Sequence, residues 1–445
     1  MKVKTKTFGI GGIVIDKWKF TASSPLIKTH VPIQVRLPMC QDSGKPARTL
    51  VAPGEHVEEG QIIGEAPDND SAHIHTSVSG KVISVERGSG FGKTETDIVT
   101  VATGGTIKNW YGRKYDTDDL APEQMISEIR QAGIVEMDGG LDCWPAQTNL
   151  SLKEGKKADI LIVDTVESVP YISAGHRILL EKTAEVIEGI RLVMKITGAG
   201  EAIIAIDEDK ADVAGIISFG LIGLKDMRVE ILKSRYPQGC ERELIYALLK
   251  KELPAGKVPR DLGIVVENTA TILAIYEALV FKKPLIERYI TYTGDKIEKR
   301  GNYKVKIGTP VRLLAEEFGM PGTFGAVIAG DPLTGMEITD MNTPVMKGTS
   351  GIVFLPKYMN YKVLDRPCIR CSRCLSSCPM RLNPAVLADI SREENFSESF
   401  SLGLSQCTEC GCCSYICPSS IPITALIRYG KKVLLQKGRN YNGRN

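Results

Sequence analysis

Hydrophobic and polar positions change rhythm several times along this chain. Between residues 50 and 86, "LVAPGEHVEEGQIIGEAPDNDSAHIHTSVSGKVISVE", short β-rich runs are separated by Gly54, Gly60, Gly64 and Gly80. That pattern predicts the short strands of a flattened β-sandwich. From about 121 to 283 the rhythm alternates. "ADILIVDTV" (158–166) reads as a buried strand and "HRILLEKTAEVIEGIRLVMKIT" as an amphipathic helix; "EAIIAID" and "MRVEILK" are strands, "CERELIYALLKKEL" a helix, "DLGIVVEN" a strand and "TATILAIYEALVF" a helix. Strands interleaved with helices predict a parallel sheet covered on both faces. Residues 284–350 return to a β-rich pattern with one helix. Beyond 358 helical patterning dominates, around Pro384–Glu394 and in "IPITALIRYGKKVLLQKG".

A chain of 445 residues is long enough for roughly two to four domains. The formal charge of +3, with 24% charged residues, argues against a nucleic-acid binder held by a general basic field. The run "GIVVENTATILAIYEALVF" is interrupted by Glu267, Asn268 and Glu277, and the N-terminal apolar stretch meets Asp16 and Lys17. Neither reads as a spanning segment or a signal peptide. The expected location is therefore the cytoplasm, with peripheral docking on a membrane complex left open.

The twelve cysteines change the picture most. Cys40, Cys143 and Cys240 are scattered, and nine lie between Cys368 and Cys417. In a reducing compartment such clustering reads as metal binding before disulfides. "CIRCSRCLSSCP" and "CTECGCCSYICP" both read C-x2-C-x2-C-x3-C-P, the spacing of bacterial two-cluster ferredoxins, in which the fourth cysteine of each run reaches the other cluster. Cluster one would be held by Cys368, Cys371, Cys374 and Cys417. Cluster two would be held by Cys407, Cys410, Cys413 and Cys378. Cys412 is left over and reads as a small packed thiol. Structural zinc is the competing reading, since four-cysteine zinc sites also use C-x2-C, but they do not need this longer motif twice over. Arg366, Arg370, Arg373 and Arg381 surround the first run, where positive charge favours the reduced cluster and an acidic partner; ordinary solvated arginine is the plainer reading. The tail from 428 carries Arg428, Lys431, Lys432, Lys437, Arg439 and Arg444 with no acid, a docking surface or a frayed polar terminus.

The glycine-punctuated module resembles the lipoyl/biotinyl half-barrels, a barrel-sandwich hybrid. Its intervening stretch "APDNDSAHIHT" holds no lysine, so a swinging-arm role lacks an attachment atom. His73 and His75 share a strand face and with His56 could hold a metal, although packing is the simpler role.

The order of half-barrel, α/β domain, small β-grasp domain and two-cluster ferredoxin resembles the C subunit of the Rnf ion-translocating electron-transfer complex, the RnfC family. "RYPQGCERELIYALLKKELP" (235–254), "KPLIERYITYTGD" (283–295), "GNYKVKIGTPV" (301–311), "KGTSGI" (347–352) and both cysteine runs carry the resemblance. It implies an α/β multidomain fold. Residues 1–120 would form the barrel-sandwich hybrid, and 121–283 an α/β parallel-sheet domain similar to the flavoprotein of respiratory complex I. An SLBB-like β-grasp would span 284–350, an α-helical two-cluster ferredoxin domain 358–437, and a basic tail 438–445. It also implies FMN and nicotinamide, NAD(H), sites. The family's G-x-G-G-A-x-F-P-T stretch corresponds to "EMDGGLDCWPAQT" (136–148). Gly139 and Pro145 survive, Gly140 stands for the alanine and Trp144 for the aromatic residue, while Glu136 and Asp138 replace glycines. In "VESVPY" (166–171) Glu167 remains and Val169 replaces its partner acid. Side chains and carboxylates where backbone N–H groups would meet phosphate oxygens weigh against FMN and NAD(H) binding. Cys143, gained in the same loop, is a candidate redox thiol facing a partner protein. Two main functions remain, beside a scaffold or adaptor whose clusters only hold the fold. One is a carrier similar to the proline reductase-associated electron-transfer type, feeding an amino-acid reductase. The other is a true Rnf component docked at the membrane.

Overall fold

The computed structural model describes residues 5–90, 94–137, 143–152, 156–357, 366–396, 399 and 401–436. The glycine-punctuated module forms two antiparallel sheets. One runs Gln34–Pro38, Glu95–Thr103, Gly80–Ser89 and His56–Val57; the other runs Arg48–Thr49, Ile62–Glu65 and Ile74–His75. Val35, Leu37, Val82, Val99 and Val101 turn inward from the first sheet and are fully buried, as the two-residue period requires. His73 and His75 are both buried here, whereas His56 is exposed. Burial and the Lys347 ammonium hold the His75 imidazole well below its ordinary value, so it sits neutral in the core.

The alternating region builds a parallel four-stranded sheet in the order Met227–Leu232, Glu201–Asp207, Ile160–Asp164 and Ile264–Asn268. Its strands are apolar on both faces because both faces are covered. Leu161, Val163, Ala202, Ile204 and Ile206 pack toward helices Thr183–Thr197 and Thr269–Phe281. Ile162, Ile203 and Ala205 pack toward helix Glu241–Leu249. Helix Thr269–Phe281 starts where the Asn268 side chain accepts the Thr271 N–H at 2.9 Å. It is apolar all round because it is buried all round; among the described residues no helix is long and apolar enough to cross a membrane. The amphipathic stretch 176–197 is not one helix. Ala174–Glu181 and Thr183–Thr197 meet at Lys182, which leaves the helical region at φ −131°. There the Thr183 hydroxyl donates to the Leu179 carbonyl at 2.6 Å, the back-bonding habit that bends helices.

A third, mixed sheet runs Leu26–Lys28, Gly301–Lys306, Glu287–Gly294, Gly351–Leu355, Ala326–Ala329 and Met336–Glu337. Helix Val311–Phe318 lays Val311, Leu314 and Phe318 on Tyr292, Tyr303 and Phe354. A buried ionic network joins this sheet to its neighbours. Glu287 accepts from Lys283 and Lys304 at 2.9 Å and from Lys306 at 3.0 Å. Lys306 also meets Glu59 of the first module at 2.9 Å, and Lys283 meets Glu277 at 2.5 Å.

The C-terminal region is helical. Pro384–Arg392 and Ile423–Gln436 pack together around Leu387, Phe396, Leu404, Ile423 and Ile427. The N-terminal segment threads the whole assembly. Lys6 pairs alongside Leu232, Ile13 pairs with Tyr236, the Gly12 N–H donates to the Ser377 carbonyl at 2.8 Å, and Leu26–Lys28 adds an edge strand beside Gly301–Lys306.

Candidate metal and redox site

The second cysteine run is shaped by two residues in the left-handed region, Glu409 (φ +56°) and Gly411 (φ +84°), which curl the backbone between Cys407 and Cys413. The short helix Cys412–Tyr415 follows. Helix Ile423–Gln436 closes the loop: Thr424 Oγ1 lies 3.5 Å from Cys413 Sγ and 2.8 Å from Ser414 Oγ. Cys378 arrives from the first run, and Cys378, Cys407, Cys410, Cys412 and Cys413 line one small cavity, walled further by Pro379, Leu382, Leu387 and Ile427. Backbone N–H groups point at two of these sulfurs, Leu382 N to Cys378 Sγ and Glu409 N to Cys407 Sγ, each at 3.4 Å. Burial pushes the free thiols of Cys407 and Cys413 up to about 12 and about 11. A cation bound at the cavity would stabilise their thiolates. Among the described residues no three His, Cys, Asp or Glu side chains converge closely enough for a single metal ion. The doubled C-x2-C-x2-C-x3-C-P spacing is that of two multi-iron clusters.

The other four motif cysteines lie differently. Cys374 and Cys417 are half-buried against the helical core, whereas Cys368 and Cys371 are exposed. Cys412 is 1% exposed and packs with Ile13, Tyr236 and Cys410. Arg428 and Lys431 both pair with Glu409 at 2.8 Å, so two cations of the basic tail share one acid upstream.

Beside this cavity opens a crevice of about 830 Å³, within the range of ligand pockets. It lies at the carboxyl edge of the parallel sheet, where Asp164 and Asn268 end adjacent strands on either side of the change in strand order. Cys407 and Cys410 line it too, so the two spaces share a wall. Tyr236 spans that wall, its hydroxyl donating to the Cys410 carbonyl at 2.5 Å. Glu243, buried in the same wall, is pushed by burial up to about 7.

Glu167 lines the crevice, accepting from the Gly175 N–H at 2.8 Å and from Lys210 Nζ at 3.0 Å. Burial opposes its charge, but the Lys210 and Lys19 ammoniums hold its carboxyl below the usual range. The carboxylate thus sits on the first turn of helix Ala174–Glu181, where a phosphate would otherwise find N–H groups. The basic residues of the crevice are engaged. Arg288 donates to the Met137 and Thr349 carbonyls at 2.7 and 2.9 Å, Arg242 to the Leu253 carbonyl, and Arg260 to the Thr148 carbonyl; Lys431 pairs with Glu409. Glu136, Glu267 and Asp164 add acids. The crevice has the volume for a flavin nucleotide, yet its described wall offers a phosphate more carboxylates than cations. Gly139 and Gly140, with Asp138 and Asp142, lie outside the described residues. Cys143 is 1% exposed, its thiol 3.0 Å from the Glu136 carbonyl and its N–H on Ser43 Oγ at 2.9 Å.

Sequence reasoning passed over Tyr236, Glu243, Arg288 and the Gly11–Gly12 pair. Tyr236 and Glu243 stand within the quoted 235–254 stretch, but nothing local says that they face a cysteine loop. Gly11 (φ +75°) is seated so closely that a Cβ would lie 2.5 Å from the Cys378 carbonyl carbon and oxygen. Gly11→Ala should therefore cost at least about 1 kcal/mol from the left-handed backbone alone and displace Cys378. The expected result is faster release of iron to a chelator than in the unaltered protein, followed by visible absorbance. Equal release rates would show that this contact does not support the cavity.

Comparisons with known proteins agree with this layout. Residues 7–106 match the RnfC barrel sandwich hybrid domain, 129–277 the Nuo51 FMN-binding domain, and 360–418 a 4Fe-4S dicluster domain. The chain is 34% identical over 407 residues to the C subunit of the proton-translocating ferredoxin:NAD(+) oxidoreductase complex of Clostridium ljungdahlii, covering 88% of this chain and 86% of that protein. It is 32% identical over 395 residues to the C subunit of the Na(+)-translocating ferredoxin:NAD(+) oxidoreductase complex of Acetobacterium woodii, covering 88% and 89%. A crystal structure of NAD+-reducing [NiFe]-hydrogenase in the air-oxidized state shares the fold, with a TM-score of 0.50 at 15% identity, over 72% of this chain; the chain spans 62% of that one. The chain thus contains a barrel-sandwich hybrid, a flavoprotein-like α/β domain and a 4Fe–4S dicluster domain.

Proposed function

Because this chain belongs to the RnfC family, we propose that it is an iron–sulfur electron-transfer protein relaying single electrons between its crevice and a protein partner outside. One observation carries the reading: Cys407 and Cys410 line both the cysteine cavity and the crevice. Cys378, Cys407, Cys410 and Cys413 would hold one [4Fe–4S] cluster, and Cys368, Cys371, Cys374 and Cys417 the other. A bound [4Fe–4S] cluster supplies a reversible one-electron couple. The chain's own residues do the rest. The Leu382 and Glu409 N–H groups polarise the sulfurs, the helical core keeps water away, and Tyr236 fixes the loop against the crevice. The mixed sheet with helix Val311–Phe318 is assigned as the SLBB-like β-grasp.

We assign the partner to a reductase of the amino-acid, proline reductase type. The acids of the crevice and the engaged state of its cations support this, since both disfavour a nucleotide phosphate. The second reading is a component of a membrane-docked ferredoxin:NAD+ oxidoreductase with FMN bound; the names of relatives matching 88% of the chain favour it. Either places the protein in the cytoplasm or on the cytoplasmic face of a membrane. Anaerobic purification with cofactor extraction decides. The carrier reading predicts clusters without flavin and no bleaching of their absorbance by NADH. Extracted FMN with NADH-dependent bleaching establishes the second reading instead.

A further inference from the structure

Among the described residues nine carboxylate side chains line the crevice against four cationic ones. All four cations are engaged, by backbone carbonyls or by Glu409. Asp164 and Glu267 stand at the carboxyl edge of the parallel sheet, and Glu243 on the first turn of helix Glu241–Leu249. Glu243 differs from the other acids. It lines the crevice at 4% exposure, and its Oε2 has no hydrogen-bond partner among the described residues. The helix start serves its other oxygen through the residue's own N–H.

Taking a carboxylate out of water is costly unless a donor meets each oxygen. The protein leaves one oxygen of Glu243 for a donor from elsewhere. A cleft lined by one sign of charge also focuses the field and concentrates ions of the opposite sign. Among the described residues no three acidic, histidine or cysteine side chains converge on a point, which a metal ion would need. An organic cation has no such need, because its ammonium hydrogens reach one acid at a time. Trp144, Tyr236 and Tyr289 line the same space, and aromatic rings hold alkylammonium groups through their negative faces. At about 830 Å³ the crevice has the size of a small-molecule site.

We infer that the crevice binds a small organic cation of the alkylamine class, with an ammonium group donating to the Glu243 carboxylate and the remaining acids attracting its positive charge. The inference rests on the flavin-free carrier reading and deepens it by naming what the crevice takes in place of a nucleotide. Binding alone is assigned. No bond forms or breaks, and no electron passes to the amine.

The test uses the full chain with its clusters reconstituted anaerobically. The probe is diaminobutane, and butanediol is its uncharged match. Titration calorimetry at low and high salt should show the diamine binding at one site per chain, more weakly as salt screens the acids, and the diol not binding. Glu243→Gln keeps the shape and removes the charge, and should weaken diamine binding by at least about tenfold. Glu337→Gln alters an exposed acid outside the crevice and should bind as the unaltered protein does. All three proteins should hold equal iron. Equal binding by Glu243→Gln and the unaltered protein overturns the site, and so does an equal loss in Glu337→Gln. Diol binding as tight as that of the diamine also overturns it, a comparison on the unaltered protein that stands even if Glu243→Gln loses its clusters. The underlying reading is judged separately. Flavin in the purified protein, with NADH-dependent bleaching, defeats the carrier reading whatever the amine does. A flavin-free protein whose clusters dithionite bleaches, but which binds no diaminobutane, defeats the cation site alone.

Discussion

Replacing Cys378 by serine should lower bound iron from about eight to about four atoms per chain and empty the cluster beside the crevice, although Cys378 belongs to the other run in sequence. The expectation follows from where the side chain lies: in the cavity with Cys407, Cys410 and Cys413, under the Leu382 N–H. The cluster that survives should be the one at the exposed Cys368 and Cys371, and should therefore be attacked quickly by ferricyanide or a chelator. Electron transfer to the outside partner would persist, and transfer reaching the crevice would stop. Iron analysis with electron paramagnetic resonance of the reduced protein checks this. Iron near eight per chain in Cys378→Ser would remove Cys378 from the ligand set and with it the crossed pairing.

Glu287→Gln should destabilise the chain by about 3–5 kcal/mol at neutral pH, the range found when one partner of a buried charge network is removed. Three ammoniums, those of Lys283, Lys304 and Lys306, would then share the two carboxylates of Glu277 and Glu59. The network joins three units, so the loss should loosen the module of Glu59 from the mixed sheet as well as weaken each. The sign with pH follows from the carboxyl. Burial works against its charge, but the three lysines hold Glu287 far below the ordinary carboxylate range. A carboxyl depressed in the folded state contributes stability above its unfolded value, near ~4.3. That contribution is lost as pH falls from there toward the folded value. Denaturant midpoints of the unaltered protein should thus drop steeply below about pH 4.5, and those of Glu287→Gln should drop less. A cost under about 1 kcal/mol at pH 7 would mean that water screens the network as it does surface pairs.

The parts of this protein that announce themselves in sequence are those whose chemistry is local. Ligand spacing within each cysteine run is set by a few backbone steps, so the dicluster domain is legible from the two runs. The alternation from 158 to 281 is equally local, since each strand and helix carries its own period. Helix Thr269–Phe281 begins and ends where its apolar run does. The break at Lys182 is invisible because the apolar period continues across it. The crevice wall was out of reach for another reason. Tyr236 meets Cys410 across 174 positions, and Lys306 meets Glu59 across 247; no window along the chain contains both partners. Isolated Lys and Glu residues in the sequence look like solvated surface until the fold buries them together. The altered flavin-type stretch was readable only as substitutions against a family pattern. What the fold adds is the company those substitutions keep: Glu167 seated on a helix start beside Lys210, and arginines already occupied by carbonyls.

The threaded N-terminal segment also sets an order of events during synthesis. Lys6 waits for Leu232, Ile13 for Tyr236, Leu26–Lys28 for Gly301–Lys306, and Gly12 for Ser377. These first residues leave the ribosome early, but the partners of Lys6 and Ile13 follow 226 and 223 positions later and that of Gly12 follows 365 positions later, and contacts of such separation form late. Meanwhile the nascent chain carries the apolar side chains of Phe8 and Ile13, buried in the finished fold, uncovered, a natural target for a chaperone. Iron delivery to the last fifth of the chain and the docking of its beginning are therefore neighbouring steps in time, and a cell that is slow at one will accumulate chains unfinished in the other.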